Sequence, residues 1–424
     1  MLLQFTFKNY KSFKDETTLD MIASSIKEHE SDVAVDAFDE RVLKVVAIFG
    51  ANASGKSNVF KAFEFMVEYV KKSLDKSESR ALNAEPFAFS AQKESEPSSF
   101  EVIFSAGTDI FQYGFTLRSR KIHEEYLYKR DKNTKKENYL ILFYRTENGI
   151  EELSQELSSA KELLELLNEE VLTLTMLSNF KFEITKTVYQ WFKQISIMDY
   201  GEILSDRERI PFRSSSENPL VQILLDVEKK KTLEQFIQAI DTGIEGLDAV
   251  VFEGKDADNN QYYAIVASHK NIDDDKLTFS FINDESSGTR KLISLYVYLE
   301  QVLETGGVLF ADELDAKLHP LLLRYLINMF HDPATNPNNA QLIFTTHDVF
   351  TLDKDNFRRD EIWFVDKDER GVSDLYSLAE YKQENGMKTR NDASYGKDYI
   401  LGKYNAIPNL KKLTDDGEAV RHGE

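Results

Sequence analysis

The stretch Gly50-Ala51-Asn52-Ala53-Ser54-Gly55-Lys56-Ser57 fits the pattern G-x-x-x-x-G-K-[ST] and limits the possible folds more than any other part of the chain. A loop of this kind binds phosphate only between a buried strand and a helix N-terminus, because its backbone amides must converge on one anion. Both flanks are present. Val45 to Phe49 is a short apolar, β-branched run suited to a buried parallel strand, and Val59, Phe63, Met66 and Val70 then recur at helical spacing. A glycine turn beside a solvated lysine would require neither flank. The expected contacts to a nucleoside triphosphate are Gly50, Asn52, Ala53, Ser54 and Gly55 along the loop, then Lys56, Ser57 and Asn58 at the helix start. Lys56 would reach the β- and γ-phosphates, and the Ser57 hydroxyl would ligate Mg²⁺.

A second constellation lies far along the chain. Ser286-Ser287-Gly288-Thr289 precedes Leu292, Leu295, Leu299 and Leu303, which share one helical face. Taken alone it reads as a helix cap. Its free amides and positive dipole also suit a γ-phosphate. Gly306-Gly307 then turns the chain into Val308 to Ala311, an apolar strand that ends in Asp312 and Glu313. Asp312 is the candidate for the Mg²⁺ shell, and Glu313 for orienting and polarising the attacking water. A further strand, Gln341 to Thr346, ends at His347, placed to hydrogen-bond a γ-phosphate.

The remaining sequence sets the frame. With 73 acidic against 52 basic residues the net charge is -21, so any nucleic-acid contact must be local. Lys129 to Lys136 is the one dense basic run, open to DNA or RNA backbone or simply a solvated hairpin tip. The absence of cysteine excludes disulfides, thiol catalysis and cysteine-held metal clusters. Met1 to Phe13 alternates apolar and polar residues and carries Lys8 and Lys11, unlike a secretory segment, and no run is long enough for a membrane span. The expectation is a soluble cytoplasmic protein without membrane contact.

Leu3, Phe5 and Phe7 mark a half-buried strand, and Phe100 to Phe104 with Phe111 to Leu117 form a hairpin about Ala106 to Asp109. Leu153, Leu157, Ala160, Leu164, Leu167, Val171 and Leu174 make a heptad stripe, either a dimer seam or packing against neighbouring helices. Helix starts are expected at Asn218-Pro219 and at Thr232 to Gln235. Tyr262 to Ala267 and Leu277 to Phe281 return the chain to the sheet, and Glu361 to Val365 with Ser373 to Leu378 read as strand, turn, strand. Asp366 and Asp368 in that turn fit a charged hairpin tip, or the metal pair of a TOPRIM nuclease whose fold the short remaining tail cannot complete. The fold class is therefore α/β, with a mixed sheet, an antiparallel β layer and an inserted helical arm. Lobe boundaries fall at 1–139, 140–245 for the arm, and 246–424.

Phosphate loop, serine-glycine segment, acidic strand and histidine, in that order, resemble the ATP-binding-cassette (ABC) ATPases, specifically the SMC, RecF and OLD branch. Glu285, Ser286, Ser287, Gly288 and Thr289 stand where that superfamily carries Leu-Ser-Gly-Gly-Gln, and Leu318-His319-Pro320 is typical of the branch. The resemblance implies ATP and Mg²⁺ as cofactors. It implies a homodimer or higher homo-oligomer in which Ser286, Ser287 and Gly288 of one copy close over Lys56 of another. Asn9-Tyr10-Lys11-Ser12-Phe13 resembles the segment by which these ATPases approach the nucleotide, making Lys11 a candidate phosphate contact. Gln92 and Gln112 compete for the glutamine loop. The tail from Arg390 to Pro408, the Ile362-Trp363-Phe364-Val365 hairpin, and Pro86-Phe87, Phe100-Glu101 and Gly114-Phe115 look like the RloA and AbiLi abortive-infection ATPases. Those are paired with a separate RloB-type nuclease, the effector partner implied here. Two other functions remain open: a RecF-like repair ATPase acting directly on DNA, and a nuclease-bearing OLD-like enzyme.

Overall fold

The computed structural model describes residues 1–79, 82–90, 96–131, 138–201, 213–240, 243–255, 261–271, 276–316, 318–382, 388–390 and 393–407. The chain begins with β1 (Leu2–Lys8) and β2 (Thr17–Asp20), followed by the short antiparallel pair β3 (Val33–Val35) and β4 (Arg41–Leu43). Next come β5 (Val45–Gly50) and helix α1 (Lys56–Lys72), on either side of the glycine-rich loop. All six residues of β5 are buried, as a run of Val, Ala, Ile and Phe in mid-sheet should be.

The central sheet is six-stranded. It runs β11 (Ile195–Asp199), β16 (Val308–Asp312), β17 (Gln341–Thr345), β5, β18 (Ile362–Lys367) and β19 (Ser373–Ser377). Neighbours are parallel except the antiparallel β18–β19 pair, so the sheet is mixed. In-register pairing aligns Asp199 with Asp312 and Val365 with Gly50, which collects the carboxyl ends of the parallel strands at one edge. Ligands of open α/β sheets bind at that edge.

Alternation along β5 divides the core in two. Val46 and Ile48 pack with Val59, Phe63 and Met66 of α1, whereas Val45, Ala47 and Phe49 face Leu292, Leu295, Leu323 and Leu326 across the sheet. The first core continues into a seven-stranded antiparallel sheet. Its members are β1, β2, β6 (Ser98–Ala106), β7 (Asp109–Arg118), β8 (Lys121–Arg130), β9 (Tyr139–Thr146) and β10 (Gly149–Leu153). The expected hairpin is present, β6 pairing with β7 through a turn with Gly107 at φ 61.

The segment 140–245 departs from a helical arm. Residues 139–153 extend the antiparallel sheet as β9 and β10, and Ile195–Asp199 supplies an edge strand to the central sheet. The leucine stripe does not form one helix: Leu153 ends β10, Gln155–Ala160 is a 3₁₀ turn, and helix resumes only at Lys161–Leu164 and Thr173–Ser178. Asn168 breaks the run by accepting the Glu170 amide in an Asx turn at 2.9 Å. Leu157, Leu164 and Leu174 nonetheless enter the same core as α1. Heptad spacing specifies a buried face, and short turns satisfy it as well as a long helix does.

Pro219–Leu225 starts where expected, with Asn218 accepting the Leu220 amide at 2.9 Å. The next helix, Val227–Gln238, starts earlier than Thr232, because the Asp226 carboxylate caps it. Tyr262 to Ala267 and Leu277 to Phe281 are strands of a separate four-stranded sheet rather than a return to the central one. It comprises β12 (Ser214–Ser215), β13 (Gly246–Lys255), β14 (Gln261–Lys270) and β15 (Leu277–Phe281). No helix among the described residues is long and apolar enough to cross a membrane.

Candidate nucleotide site

The loop after β5 is shaped by its glycines and held from behind. Gly55 has φ +119, and a Cβ there would lie 2.5 Å from Ser373 Oγ, so only glycine fits without strain. Ser373 Oγ donates to the Ser54 carbonyl at 2.5 Å and lies 2.8 Å from Ser12 Oγ. Asn58 Nδ2 donates to that same Ser12 oxygen at 2.7 Å. The loop is thereby clamped between the chain's first turn and the β18–β19 hairpin. No side chain caps the start of α1, which leaves its leading amides turned toward the loop. Lys56 is 5% exposed and donates to the carbonyls of Gly50 at 2.8 Å and Ala51 at 3.1 Å. Burial pulls its ammonium down to about 8, against the opposing pull of Asp312, Glu313 and Asp315.

Three strand ends bring the acids and the histidine to this loop. Asp312, last residue of β16, is 3% exposed and accepts the Thr345 hydroxyl from the end of β17. Burial raises its pKa, while the hydroxyls of Thr345 and, from the start of α1, Ser57 oppose the rise, so Ser57 lies on the Asp312 side of the loop. A buried carboxylate beside a hydroxyl fits one protein corner of a Mg²⁺ shell, the rest being phosphate and water oxygens. Among the described residues no group of three or more acids and histidines forms a cage for a metal.

Glu313 follows in the left-handed region at φ 49, its amide donating to Thr345 Oγ1 at 2.8 Å. Its pKa is raised, first by burial and then by Asp312, Asp199 and Asp315. A Cβ at Gly201 would collide with its carboxylate, so the end of β11 also shapes its position. His347 donates its backbone amide to Asp315 at 3.2 Å, and burial together with Lys56 lowers its imidazole pKa, favouring the neutral ring. A cleft of about 370 Å³ is lined by Asn52, Ala53, Gly55, Lys56, Ser57, Asn58, Glu313, His347 and Lys367.

Ser286, Ser287 and Gly288 lie elsewhere. They open the helix Ser287–Thr305, Ser286 Oγ accepting the Thr289 amide at 3.1 Å, with Ser286 and Ser287 exposed and none of the three lining the cleft. Glu285 is held by His269 Nε2 at 2.8 Å.

Lys11 does not reach the cleft. Its ammonium pairs with Glu85 at 3.0 Å, and its amide donates to the Glu85 carbonyl at 2.7 Å. The turn it belongs to delivers Ser12 to the loop instead. Gln112 donates to Glu101 on the antiparallel sheet at 2.8 Å, and Gln92 falls outside the described residues. Lys129 and Arg130 pair with Asp109 and Glu40, while Lys132 to Lys136 fall outside the described residues. Asp368 accepts the amides of Arg370 and Val372, the role of a hairpin-turn aspartate. Sequence reading missed Lys367, Ser12 and Ser373. The parallel pairing of β18 with β5, which puts Val365 level with Gly50, is the contact that brings the last hairpin to the loop.

A phosphate loop at the centre of a mainly parallel sheet, flanked by an acidic strand end and an antiparallel layer, defines an α/β P-loop fold of the AAA-domain ATPase class. The chain belongs to the family described as "AAA domain, putative AbiEii toxin, Type IV TA system", whose profile matches residues 45–353. No curated protein matches it. Among solved structures it is similar to the Smc head domain bound to the C-terminal domain of ScpA from Pyrococcus furiosus, at 14% identity and TM-score 0.37 over 89% of this chain and 96% of that one. It is also similar to an Smc head domain with a coiled coil and joint from Pyrococcus yayanosii, at 12% identity and TM-score 0.43 over 89% and 97%.

Proposed function

We propose that this protein is a Mg²⁺-dependent ATP-hydrolysing switch of a bacterial anti-phage, abortive-infection system, controlling a separate effector of the RloB-type nuclease class. The observation that carries the enzymatic part is the convergence of Lys56, Ser57, Glu313 and His347 on one cleft, with Asp312 ending the strand before Glu313, from segments far apart in the chain. In this reading Lys56 and the loop amides hold the β- and γ-phosphates, and Ser57 and Asp312 hold Mg²⁺. The metal, when bound, neutralises phosphate charge. Glu313 orients water for in-line attack, and the neutral His347 ring hydrogen-bonds the γ-phosphate. The exposed Ser286 and Ser287, with Gly288 beside them, then close the site of a second copy. A γ-phosphate shared across two chains favours the closed dimer, and its loss on hydrolysis removes that preference.

The biological setting rests on the family description and on the resemblance of the hairpin and tail to abortive-infection ATPases. A repair ATPase acting directly on DNA has less support, because the described part of the basic run is neutralised by Asp109 and Glu40. Calorimetry with ATP and Mg²⁺ on the wild type and Lys56→Ala tests the enzymatic half. Uptake by the first and none by the second is expected, and no uptake by the wild type would refute it. Co-purification with the product of an adjacent nuclease gene tests the other half, against ATP-dependent binding of DNA ends by the protein alone.

A further inference from the structure

We propose that Lys367, the last residue of β18, is a second phosphate-binding cation of the nucleotide site, taking the role expected of Lys11. This inference rests on the cleft around Lys56 being a nucleotide site. Three observations carry it. First, Lys367 lines the same cleft as Lys56, Glu313 and His347. Second, β18 runs parallel to β5 with Val365 paired to Gly50, the first residue of the loop. Side chains two apart on a strand share a face, so Lys367 stands one pleat beyond the loop entrance on the side of Val365. Third, its ammonium has no acidic or hydrogen-bonding partner among the described residues. Lys11 is tied to Glu85 and Lys129 to Asp109, and Lys56 donates to two loop carbonyls.

An unpaired ammonium on a strand edge is ordinary when it faces open water. Here it faces a concave site in a chain of net charge -21. The hairpin carrying it is fixed to the loop through Ser373 and Ser54, so the cation is presented without ordering a mobile segment. A polyphosphate with its metal still carries net negative charge, and a second lysine complements what Lys56 leaves uncompensated.

The test titrates a fluorescent ATP analogue, with adenosine as competitor, into wild type, Lys367→Ala, Lys367→Arg and Lys56→Ala, each checked by thermal melting. The expected result is an unchanged melting temperature for Lys367→Ala and an affinity for the triphosphate weakened by about ten-fold. Adenosine competition should be unaltered, and Lys367→Arg should recover most of the loss. Wild-type affinity in Lys367→Ala, with binding lost in Lys56→Ala, would overturn the role of Lys367 and leave the nucleotide site standing. Equal weakening toward ATP and adenosine would also overturn it, since a phosphate contact discriminates between them. No binding by the wild type would overturn the nucleotide site and Lys367 together.

Discussion

Two helix N-termini of this protein answer the same electrostatic problem differently. The helix Lys56–Lys72 begins after Gly55 with no side chain accepting from its first amides, whereas the helix Ser287–Thr305 has its Thr289 amide satisfied by Ser286. The uncapped end sits in a cleft with the buried Lys56 and the carboxylate of Glu313, and the capped end faces solvent. A helix end with free amides, buried among charges, is incomplete until an anion arrives; a capped one is stable alone. In the proposed function the first receives phosphate in the isolated chain, and the second does so only when another copy approaches.

The comparison breaks most decisively at the glycines. Gly55→Ala forces a Cβ onto Ser373 Oγ at a left-handed φ, so we expect nucleotide affinity to fall by more than about 100-fold, with a lower melting temperature. Gly288→Ala meets only Ser286 Oγ at 3.7 Å, and the monomer should fold unchanged. Parallel melting curves and nucleotide titrations check both, and a benign Gly55→Ala would show that the loop is not conformationally demanding.

Next in size is chemistry within the receptor end. Glu313→Gln keeps size and loses the carboxylate charge, so turnover should drop by roughly 10² to 10³ with ATP affinity retained. A steady-state phosphate-release assay beside a binding titration separates the two. Undiminished turnover would take Glu313 out of the water-orienting role.

The receptor end was the more legible in sequence, and the reason is physical. Gly50 through Ser57, Asp312, Glu313 and His347 are set by backbone geometry and strand ends, which local pattern specifies. Lys367, Ser12 and Ser373 reach the site through strand pairing between segments remote in sequence, and no local pattern encodes that. Lys11 was misplaced for the same reason: the turn is where the resemblance puts it, but Glu85, from another segment, captures the ammonium. The leucines of 153–174 showed a buried face correctly and a continuous helix incorrectly, since spacing alone does not register the Asn168 turn.

A smaller, graded effect follows from Lys56. Its ammonium titrates near 8 in the free protein, and bound phosphate raises that value, so ATP affinity should decline by up to about ten-fold per pH unit above 8. Stability of the nucleotide-free fold moves oppositely. Between about 8 and the ordinary lysine value of 10.5 the unfolded chain holds more protons at this residue, so its contribution to folding stability rises with pH. Affinity falling while apo stability rises is the signature to measure by titration and melting at matched pH, and Lys56→Met should remove this residue's part of both trends.

The smallest effect sharpens the comparison at its other end. Ser286→Ala removes the oxygen that accepts the Thr289 amide, and loss of such a cap costs about 1 kcal/mol. Gly288→Ala lies in a helix at ordinary φ and should instead stabilise the monomer by about 0.5 to 1 kcal/mol. If this end serves only its own helix, ATPase activity at saturating nucleotide stays constant in both variants while the melting temperatures move apart. If it completes the site of a second copy, both variants lose activity with increasing dependence on protein concentration, and Gly288→Ala does so while becoming more stable. A gain in stability with a loss of concentration-dependent activity cannot come from a cap, because a cap has no function apart from the stability it confers.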